Sequence, residues 1–461
     1  MTLSRTLDVA IVGAGPAGIG TAVALERLDV EYVVLERECI GASFRQWPAE
    51  MELLTPSFPA NAFGVRDLNA ITLDTSPALA LDSEHPTGDQ YAEYLEAVAE
   101  FHELPIETGV DVEAVVPDAG SSESSDGDDA TAADGFTLET SEGRLEAASV
   151  VWAAGQYQYP SSGPIPGASD AIHVSTIDSW TAHADQWPGE GGSPDESDRT
   201  VTESTPSVSS QPEATSLAAD GAGVSAPTAD DVVIVGGAES GIDAALGLAD
   251  AGLSVTVVDP DGPWQYRSPD PSEVLSPRTT DRLEAALDAE QPITLVTDAR
   301  VERIEREETG TDFSSQARVG TRTDPSDGPE TPGSTVERAG YAVVTDDGDR
   351  IHSRTPPVLS TGFEGGLTLV DDLFEVDEHG FPELTDQDES TATSGLFLVG
   401  PQVAHEGQQF CFIYKFRQRF AVVAEAIGDR LEVDTTPLDA YREKRMFIED
   451  LECCEPSYCD C

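Results

Sequence analysis

The feature that most constrains this chain is a glycine-rich turn that occurs twice in the same setting. Gly13-Ala14-Gly15-Pro16-Ala17-Gly18 follows an apolar strand and opens a helix, and Glu36 ends the next strand, 23 residues after Gly13. In such a turn the glycines permit the bend, let backbone amides approach a pyrophosphate, and let the helix lie against the strand, while the acid accepts from ribose hydroxyls. We therefore predict a dinucleotide site, with contacts from Gly13, Gly15, Pro16, Ala17, Gly18, Glu36 and Arg37.

The second copy begins roughly 220 residues later, with Gly236-Gly237-Ala238-Glu239-Ser240-Gly241. Asp259 ends the following strand, again 23 residues after the first glycine. Ala238 stands where the middle glycine is usual, and Glu239 would repel a phosphate unless its side chain turns away. A carboxylate at 259 pairs with a free 2′-hydroxyl and repels a 2′-phosphate, which favours NADH, although Arg267 could accommodate NADPH. The predicted contacts are Gly236, Gly237, Ser240, Gly241 and Asp259.

Around both turns the apolar pattern alternates between strand and helix, which is typical of βαβ units with a parallel sheet. The predicted strands are Leu7–Val12, Glu31–Leu35, Asp231–Val235 and Ser254–Val258, and the helices are Pro16–Leu28 and Ser240–Ala251. We therefore predict an α/β fold of two Rossmann-like nucleotide-binding domains, the second inserted in the first. The expected divisions are 1–160 and 356–452 for the first domain, 161–355 for the second, and 453–461 for a cysteine-rich tail.

The charge composition limits the binding partners and the salt concentration that suit this protein. The chain holds 25 Lys+Arg against 87 Asp+Glu, a formal net charge of −62, which excludes a nucleic-acid surface built from clustered cations. Such self-repulsion is tolerable where molar salt screens it, so we predict a cytoplasm of very high salt. No membrane span or signal peptide is evident, and three acidic stretches, 118–134, 188–231 and 307–338, are expected to be loops.

The two turns, the returning strand Val150-Val151-Trp152-Ala153-Ala154-Gly155, and Gly395 to Pro401 near the end resemble the two-dinucleotide-binding-domain flavoproteins. The resemblance covers nearly the whole chain and implies FAD in the first site, NAD(P)H in the second, and a small-molecule substrate. It adds Gly155 and Gly400 to the predicted FAD contacts. It also implies that the last helix begins near Gln408, Gln409 and Phe410 and directs its amides at the flavin pyrimidine. A homodimer is compatible with this resemblance.

Within that superfamily, one branch is similar to flavin-containing monooxygenases. Gly41-Ala42-Ser43-Phe44 with Trp47-Pro48 resembles the GGTW segment, and Leu54-Thr55-Pro56 resembles LNTP, with Leu54 where Asn is usual. Gly400-Pro401 fits this branch better than the Gly-Asp of disulfide reductases. The resemblance therefore favours electron transfer from NAD(P)H through FAD to oxygen and a small substrate.

The alternative branch is the thioredoxin-reductase-like group, especially its bacillithiol-disulfide-reductase-like members. That branch resembles the chain from Gly155 through Ser360-Thr361-Gly362-Phe363 and into the final helix. Its members carry a cysteine in the first glycine loop, where this chain has Ala17, and no CxxC lies near Asp259. Because a disulfide reductase must pass electrons from flavin to sulfur, Cys411 or the tail would have to substitute.

Three further features are candidates for chemistry. His173 could relay between the domains, and Cys411 would lie close to the flavin. Four thiols in the last nine residues, Cys453, Cys454, Cys459 and Cys461, could bind a soft metal ion or shuttle electrons, or form a terminus without a catalytic role. The tail also suggests a non-enzyme alternative, a flavoprotein used as a redox sensor or metal-binding partner.

Overall fold

A computed structural model describes residues 6–60, 66–118, 135–187, 231–266, 274–307, 340–377, 380–405, 408–449 and 451. The acidic stretches predicted as loops lie almost wholly outside these ranges, as does the cysteine tail. Over the described residues, no helix is long and apolar enough to cross a membrane.

The described chain forms the following strands and helices. The strands are β1 Thr6–Val12, β2 Tyr32–Glu36, β3 Ile106–Thr108, β4 Val112–Pro117, β5 Phe136–Thr140, β6 Gly143–Trp152, β7 Ile172–His173, β8 Val232–Val235, β9 Val255–Val258, β10 Ile293–Val296, β11 Val301–Glu307, β12 Gly340–Thr345, β13 Arg350–Ser353, β14 Val358–Leu359, β15 Leu396–Leu398, β16 Ala404–His405 and β17 Gln408–Gln409. The helices are α1 Pro16–Leu25, α2 Ala42–Arg45, α3 Pro77–Leu81, α4 Gly88–Phe101, α5 Trp180–Asp185, α6 Glu239–Asp250, α7 Pro277–Asp288, α8 Ile413–Phe416, α9 Phe420–Arg430 and α10 Asp439–Glu443.

Two sheets organise these elements, one mixed and one wholly parallel. In the first, β3, β2, β1 and β6 lie side by side, and β15 pairs with the second half of β6, while the first half of β6 pairs antiparallel with β5 and then β4. In the second, β10, β9, β8, β14 and β7 are all parallel. Because the strands of the second sheet lie between β6 and β15 in the chain, the predicted fold of two Rossmann-like domains, one inserted in the other, is confirmed. The residue limits of the domains stay predictions.

Burial explains why the first helix takes its place. Every residue of α1 from Ala17 to Leu25 is buried, because α1 lies between the sheet and α9. A Cβ added at Gly20 would lie 2.0 Å from the Phe420 ring, so the small residue sets how closely the two helices approach. The predicted helix was three residues longer. It ends at Leu25 because Arg27 and Leu28 bond back to Ala24 and Leu25 as a tighter turn.

A short segment after α2 joins the two domains. The Ala49 amide donates to the Asp178 carbonyl at 2.8 Å, and Met51 packs against the core of the second sheet. Glu50 accepts from Ser179 Oγ at 2.7 Å and from the Trp180 amide at 3.0 Å, so its carboxylate caps α5 of the other domain. Burial alone would raise the pKa of Glu50, but these hydrogen bonds outweigh it and lower the pKa below its ordinary value. The segment thus fixes one domain to the other through a charge-assisted cap.

Candidate nucleotide and redox site

A cavity of about 510 Å³ opens where the carboxyl ends of both parallel sheets meet. Its wall includes Gly15 and Glu36 from the first glycine turn and its acid, and Ala238 and Glu239 from the second turn. Ligands of open α/β sheets bind at the carboxyl ends of the strands. The cavity therefore brings the first turn together with Ala238 and Glu239 of the second. None of the five contacts predicted for the second site lines it, namely Gly236, Gly237, Ser240, Gly241 and Asp259.

The first turn leaves room for a ligand at one glycine. Gly13 has φ of +107°, and a Cβ there would lie 2.5 Å from the Ala153 carbonyl oxygen, so only glycine fits. Gly15 precedes α1 with an ordinary φ of −81°, and a Cβ there would meet nothing within 4 Å. The backbone at the start of α1 is thus open to the cavity, where its amides can receive an anionic pyrophosphate.

The other predicted contacts of this turn divide into lining and packing residues. Pro16 and Ala17 line the cavity with Gly155, at which an added Cβ would also meet nothing within 4 Å. Gly18 packs helix on turn, since its Cβ would lie 1.9 Å from the Gly13 carbonyl oxygen. At Gly400, an added Cβ would lie 3.4 Å from the Ala17 Cβ.

Glu36 is buried at the end of β2 and already organises the turn. One carboxylate oxygen accepts from the Ala14 amide at 2.8 Å and the other from the Glu38 amide at 2.8 Å. A carboxylate has about four lone-pair sites, so each oxygen keeps one acceptor position. Glu36 can therefore still receive two ribose hydroxyls. Arg37 does not itself line the cavity but donates at 2.6 Å to Oε1 of Gln158, which does.

The second turn is more crowded. Asp259 accepts from the Gly237 amide at 2.7 Å, and its other oxygen accepts from the amides of Asp261 and Gly262 at 2.9 and 2.8 Å. Only one acceptor position then remains for a ribose hydroxyl. The Trp264 ring packs directly on Gly237, where an added Cβ would lie 2.1 Å away. An indole thus covers the turn on which a nucleotide would lie.

Glu239 begins α6 and brings a negative charge to this turn. Its carboxylate accepts from the Ser276 amide and from Thr279 Oγ1, the latter at 2.5 Å, so it turns toward the start of α7. Burial raises the pKa of Glu239 above its ordinary value. Glu239 nevertheless lines the cavity, whereas Ser240 and Gly241 lie outside that lining. Gly241 packs against Gly236, as Gly18 does against Gly13.

Aromatic rings form the wall between the two turns. The ring centroids of Trp47 and Tyr157 lie 6.3 Å apart, those of Tyr157 and Phe363 5.2 Å, and those of Phe363 and His173 5.3 Å. His173 lies behind this wall, with Nδ1 bonded to Ser175 Oγ and Nε2 to the Gly362 carbonyl. Burial lowers the pKa of His173. Both of its nitrogens are engaged in hydrogen bonds, and its role as a relay between the domains stays a prediction.

The segment from 408 to 416 differs from the predicted helix start. Gln408 and Gln409 pair with His405 and Ala404 in a hairpin, and the first helical residue is Ile413. Gln409 and Cys411 line the cavity, while Phe410 is buried beneath them. The helix begins later because the strand pairing uses the backbone of 408 and 409. The predicted segment thus reaches the cavity, but as a strand and loop.

Several lining residues escaped the motif analysis, among them Asn69, Tyr157 and Phe412. Asn69 donates from Nδ2 to the Thr55 carbonyl at 2.7 Å and to Ser57 Oγ at 2.9 Å. Asn69 lies in a loop without a recognisable sequence pattern, so no local motif predicts that it lines the cavity. Tyr157 follows Gly155 by two residues, and that proximity is the one signal available for it.

Cys411 lines the cavity, Cys39 does not, and the other four thiols lie in the undescribed tail. Neither Cys39 nor Cys411 forms a disulfide among the described residues, and burial raises the pKa of Cys39. Among the residues that the structure describes, no group of three or more His, Cys, Asp or Glu could hold a metal ion. The candidates Cys453, Cys454, Cys459 and Cys461 lie outside those residues, so their role stays a prediction.

Family comparison agrees with this geometry. The model of the pyridine nucleotide-disulphide oxidoreductase family matches residues 10–187, 211–325 and 332–400, most of the chain. The protein belongs to the pyridine nucleotide-disulphide oxidoreductase family. The predicted superfamily is thereby confirmed, and membership makes the protein an oxidoreductase in its general class.

Solved structures of three kinds share the fold. The bacillithiol disulfide reductase of Staphylococcus aureus is 16% identical with a TM-score of 0.58, over 92% of this chain and 99% of that one. The flavin-containing monooxygenase of Stenotrophomonas maltophilia is 14% identical with a TM-score of 0.58, over 93% and 99%. The T. acidophilum thioredoxin reductase is 15% identical with a TM-score of 0.53, over 93% and 100%. Because both predicted branches are represented at equal similarity, these likenesses support the fold and leave the reaction to the site.

Proposed function

We propose that this protein is an FAD-dependent oxidoreductase that takes electrons from NADH and passes them to a small acceptor. The observation that carries the proposal is the shared cavity, into which the open turn at Gly15 and the start of α6 at Ala238 both face. FAD, when bound, supplies the chemistry of accepting a hydride and passing on the electrons. The protein has to hold two dinucleotides with their reactive rings together and exclude water from the space between them.

The chain's own residues fit those tasks. The amides at the start of α1 would hold the FAD pyrophosphate, and Glu36 retains two acceptor positions for its ribose. Asp259 retains one for the NADH ribose and is repulsive to a 2′-phosphate, which supports NADH over NADPH. The wall of Trp47, Tyr157 and Phe363 is apolar and would keep water from the reacting rings.

For the acceptor, we favour oxygen and a small substrate, as in the flavin monooxygenase-like branch. Ala17 lines the cavity where disulfide reductases of the other branch carry a cysteine. Among the described lining residues Cys411 is the sole thiol, and thiol–disulfide exchange within one active site needs a pair. Pro401 lines the cavity as well. These features support the first branch and name no substrate.

The second candidate is a disulfide reductase, and Cys411 is the observation that favours it. Its position in the cavity wall would let it exchange with a thiol of the tail. A redox sensor or metal-binding partner is the non-enzyme counterpart of the same idea. We further propose a high-salt cytoplasm as the setting, with no nucleic-acid or membrane partner and with a homodimer as the assembly to test.

The deciding experiment is an anaerobic NADH titration of the full-length chain and of a chain ending before Cys453, in metal-free molar KCl. If oxygen is the acceptor, both proteins take up two electrons per FAD, since the flavin is then the sole centre that is reduced. Uptake of four electrons by the full-length chain and two by the truncated one would establish a flavin-coupled disulfide and overturn the preferred branch. A protein that binds no FAD would overturn the proposal as a whole.

A further inference from the structure

A cluster of three charged or titratable side chains lies behind the hairpin β16–β17, away from the cavity. Asp388 and Arg419 are both fully buried. Arg419 donates to Asp388 from Nε and from a terminal nitrogen, each at 2.9 Å, and His405 Nε2 lies 2.5 Å from the same carboxylate. An ionised carboxylate only accepts, so His405 carries its proton on Nε2.

The three members come from segments that are distant in the chain. Asp388 lies in a tight turn at the left-handed φ of +61°, with its carbonyl receiving the Leu398 amide of β15 at 2.9 Å. His405 lies in the hairpin, and Arg419 immediately precedes α9. Asp388 therefore ties three parts of the fold together: its carboxylate contacts the hairpin and the residue before α9, and its carbonyl contacts the central sheet.

The cluster also contacts Phe410, which lies between two residues that line the cavity, Gln409 and Cys411. The Phe410 ring meets the His405 ring edge-on at 6.0 Å, and the Arg419 guanidinium carbon lies 6.0 Å from the centroid of that same ring. Gln409 and Cys411, on either side of Phe410, line the cavity shared with Gly15. A shift of the cluster would therefore move the backbone that faces the flavin site.

Stability alone is a poor reason for such a cluster. Replacing a buried ion pair by apolar side chains of similar volume is often neutral or stabilising, whereas its directional bonds can specify one arrangement of the chain. Asp388 also costs folding free energy, because a non-glycine residue in the left-handed region is strained. This loss of folding free energy has a reason if the arrangement of the hairpin matters to the reaction.

We propose that Asp388 is a positioning residue, which through His405 and Arg419 fixes residues 408–411 against the flavin site. The inference rests on the proposed function for its consequence, because Gln409 and Cys411 line the cavity, and polar groups held in place beside a flavin stabilise the negative charge of its reduced form. Its structural half concerns the chain alone and can be tested without FAD.

The test uses His405→Ala, which removes the donor, and His405→Gln, which restores one at a similar reach. Asp386→Asn is the matched control, because the Asp386 side chain is exposed in the same turn and contributes only its carbonyl to Arg419. In apoprotein, hydrogen exchange of residues 404–412 is expected to speed up in His405→Ala, with β8 and β14 unchanged. His405→Gln and the control are expected to match the parent.

In protein loaded with FAD, His405→Ala is expected to shift the flavin reduction potential to more negative values, with recovery in His405→Gln. Uniformly faster exchange, or a lower melting temperature with an unchanged potential, would reduce the cluster to a structural role and overturn the proposal. A parent protein that fails to bind FAD would refute the proposed function instead. The exchange measurement on apoprotein would still decide whether the cluster positions the hairpin.

Discussion

The two glycine turns have the same spacing and nearly the same backbone, yet they present different surfaces to the cavity. Gly15 leaves open space and no acid lies in the first turn of α1, whereas the second turn carries Ala238, Glu239 and the Trp264 ring. Glu36 keeps two acceptor positions and Asp259 keeps one. On the proposed function, the open first site would hold FAD throughout turnover, and the crowded second site would bind a nucleotide that leaves after each turnover.

The largest effects on cofactor binding and flavin reduction should come from blocking the two glycine turns one at a time. Gly15→Trp should abolish FAD binding, because the indole would fill the one open approach to the backbone while the φ of −81° suits any residue. Ala238→Trp occupies the matching position of the second turn and should leave FAD bound while preventing reduction by NADH. Visible absorbance of the purified proteins and anaerobic NADH titration measure the two outcomes. Retained stoichiometric FAD in Gly15→Trp would remove the distinction between the sites.

A smaller effect should follow from the acid of the second site. Asp259→Asn should lower the preference for NADH over NADPH roughly tenfold, since repulsion of a 2′-phosphate by one charge is on the order of 1 kcal/mol or more. The comparison is the ratio of flavin reduction rates with the two nucleotides. Asp261→Asn is the control, because its exposed side chain lies in the same loop. Equal use of both nucleotides by the parent would show that Asp259 does not select.

The sequence predicts both turns because each turn is defined by residues that are close together in the chain. The spacing from Gly13 to Glu36 and from Gly236 to Asp259 is set by one strand, one helix and the next strand, and the structure has those elements within three residues of the predicted ends. Fold class and membership of the superfamily follow from that repeat. For the same reason, apolar runs predict the strands of the sheets even when the neighbouring strands with which they pair are unknown.

What the sequence does not predict is the set of contacts between distant segments. Glu239 bonds to Ser276, 37 residues away, and no pattern indicates that Trp264 folds back on Gly237. The last helix is predicted to start near Gln408 and starts at Ile413, because Gln408 and Gln409 pair with His405 and Ala404, a pairing that periodicity does not reveal. These non-local contacts are what make the two sites different.

A further prediction concerns the charge at the second turn. Glu239→Gln should lower the KM for NADH about fivefold in dilute buffer. The removed charge lies in the wall of the cavity that would receive the nucleotide, although its carboxylate is bonded to residues at the start of α7. In molar KCl the gain should largely vanish, since the screening length falls to about 3 Å. Glu284→Gln, on the exposed face of α7, should change nothing at either salt concentration. A gain that persists in molar salt would mean that Glu239 acts by shape and not by charge.

The last prediction tests whether the two sites must be held together. Glu50→Gln should destabilise the contact between domains by up to about 1 kcal/mol, because it removes the negative charge beside the first amides of α5 while keeping one acceptor oxygen. Because the folded pKa of Glu50 is lowered, its contribution is present above the unfolded pKa of about 4.3 and is lost as pH falls through the lower folded value. Parent and variant should therefore differ in melting temperature at pH 7 and converge under strong acid, with Glu93→Gln on α4 as the exposed control. Flavin reduction by NADH should slow in Glu50→Gln while FAD binding is unchanged, since the first site is complete within its own domain. An unchanged reduction rate would show that the two sites meet without this cap, and the contrast between them would then lie wholly in their own residues.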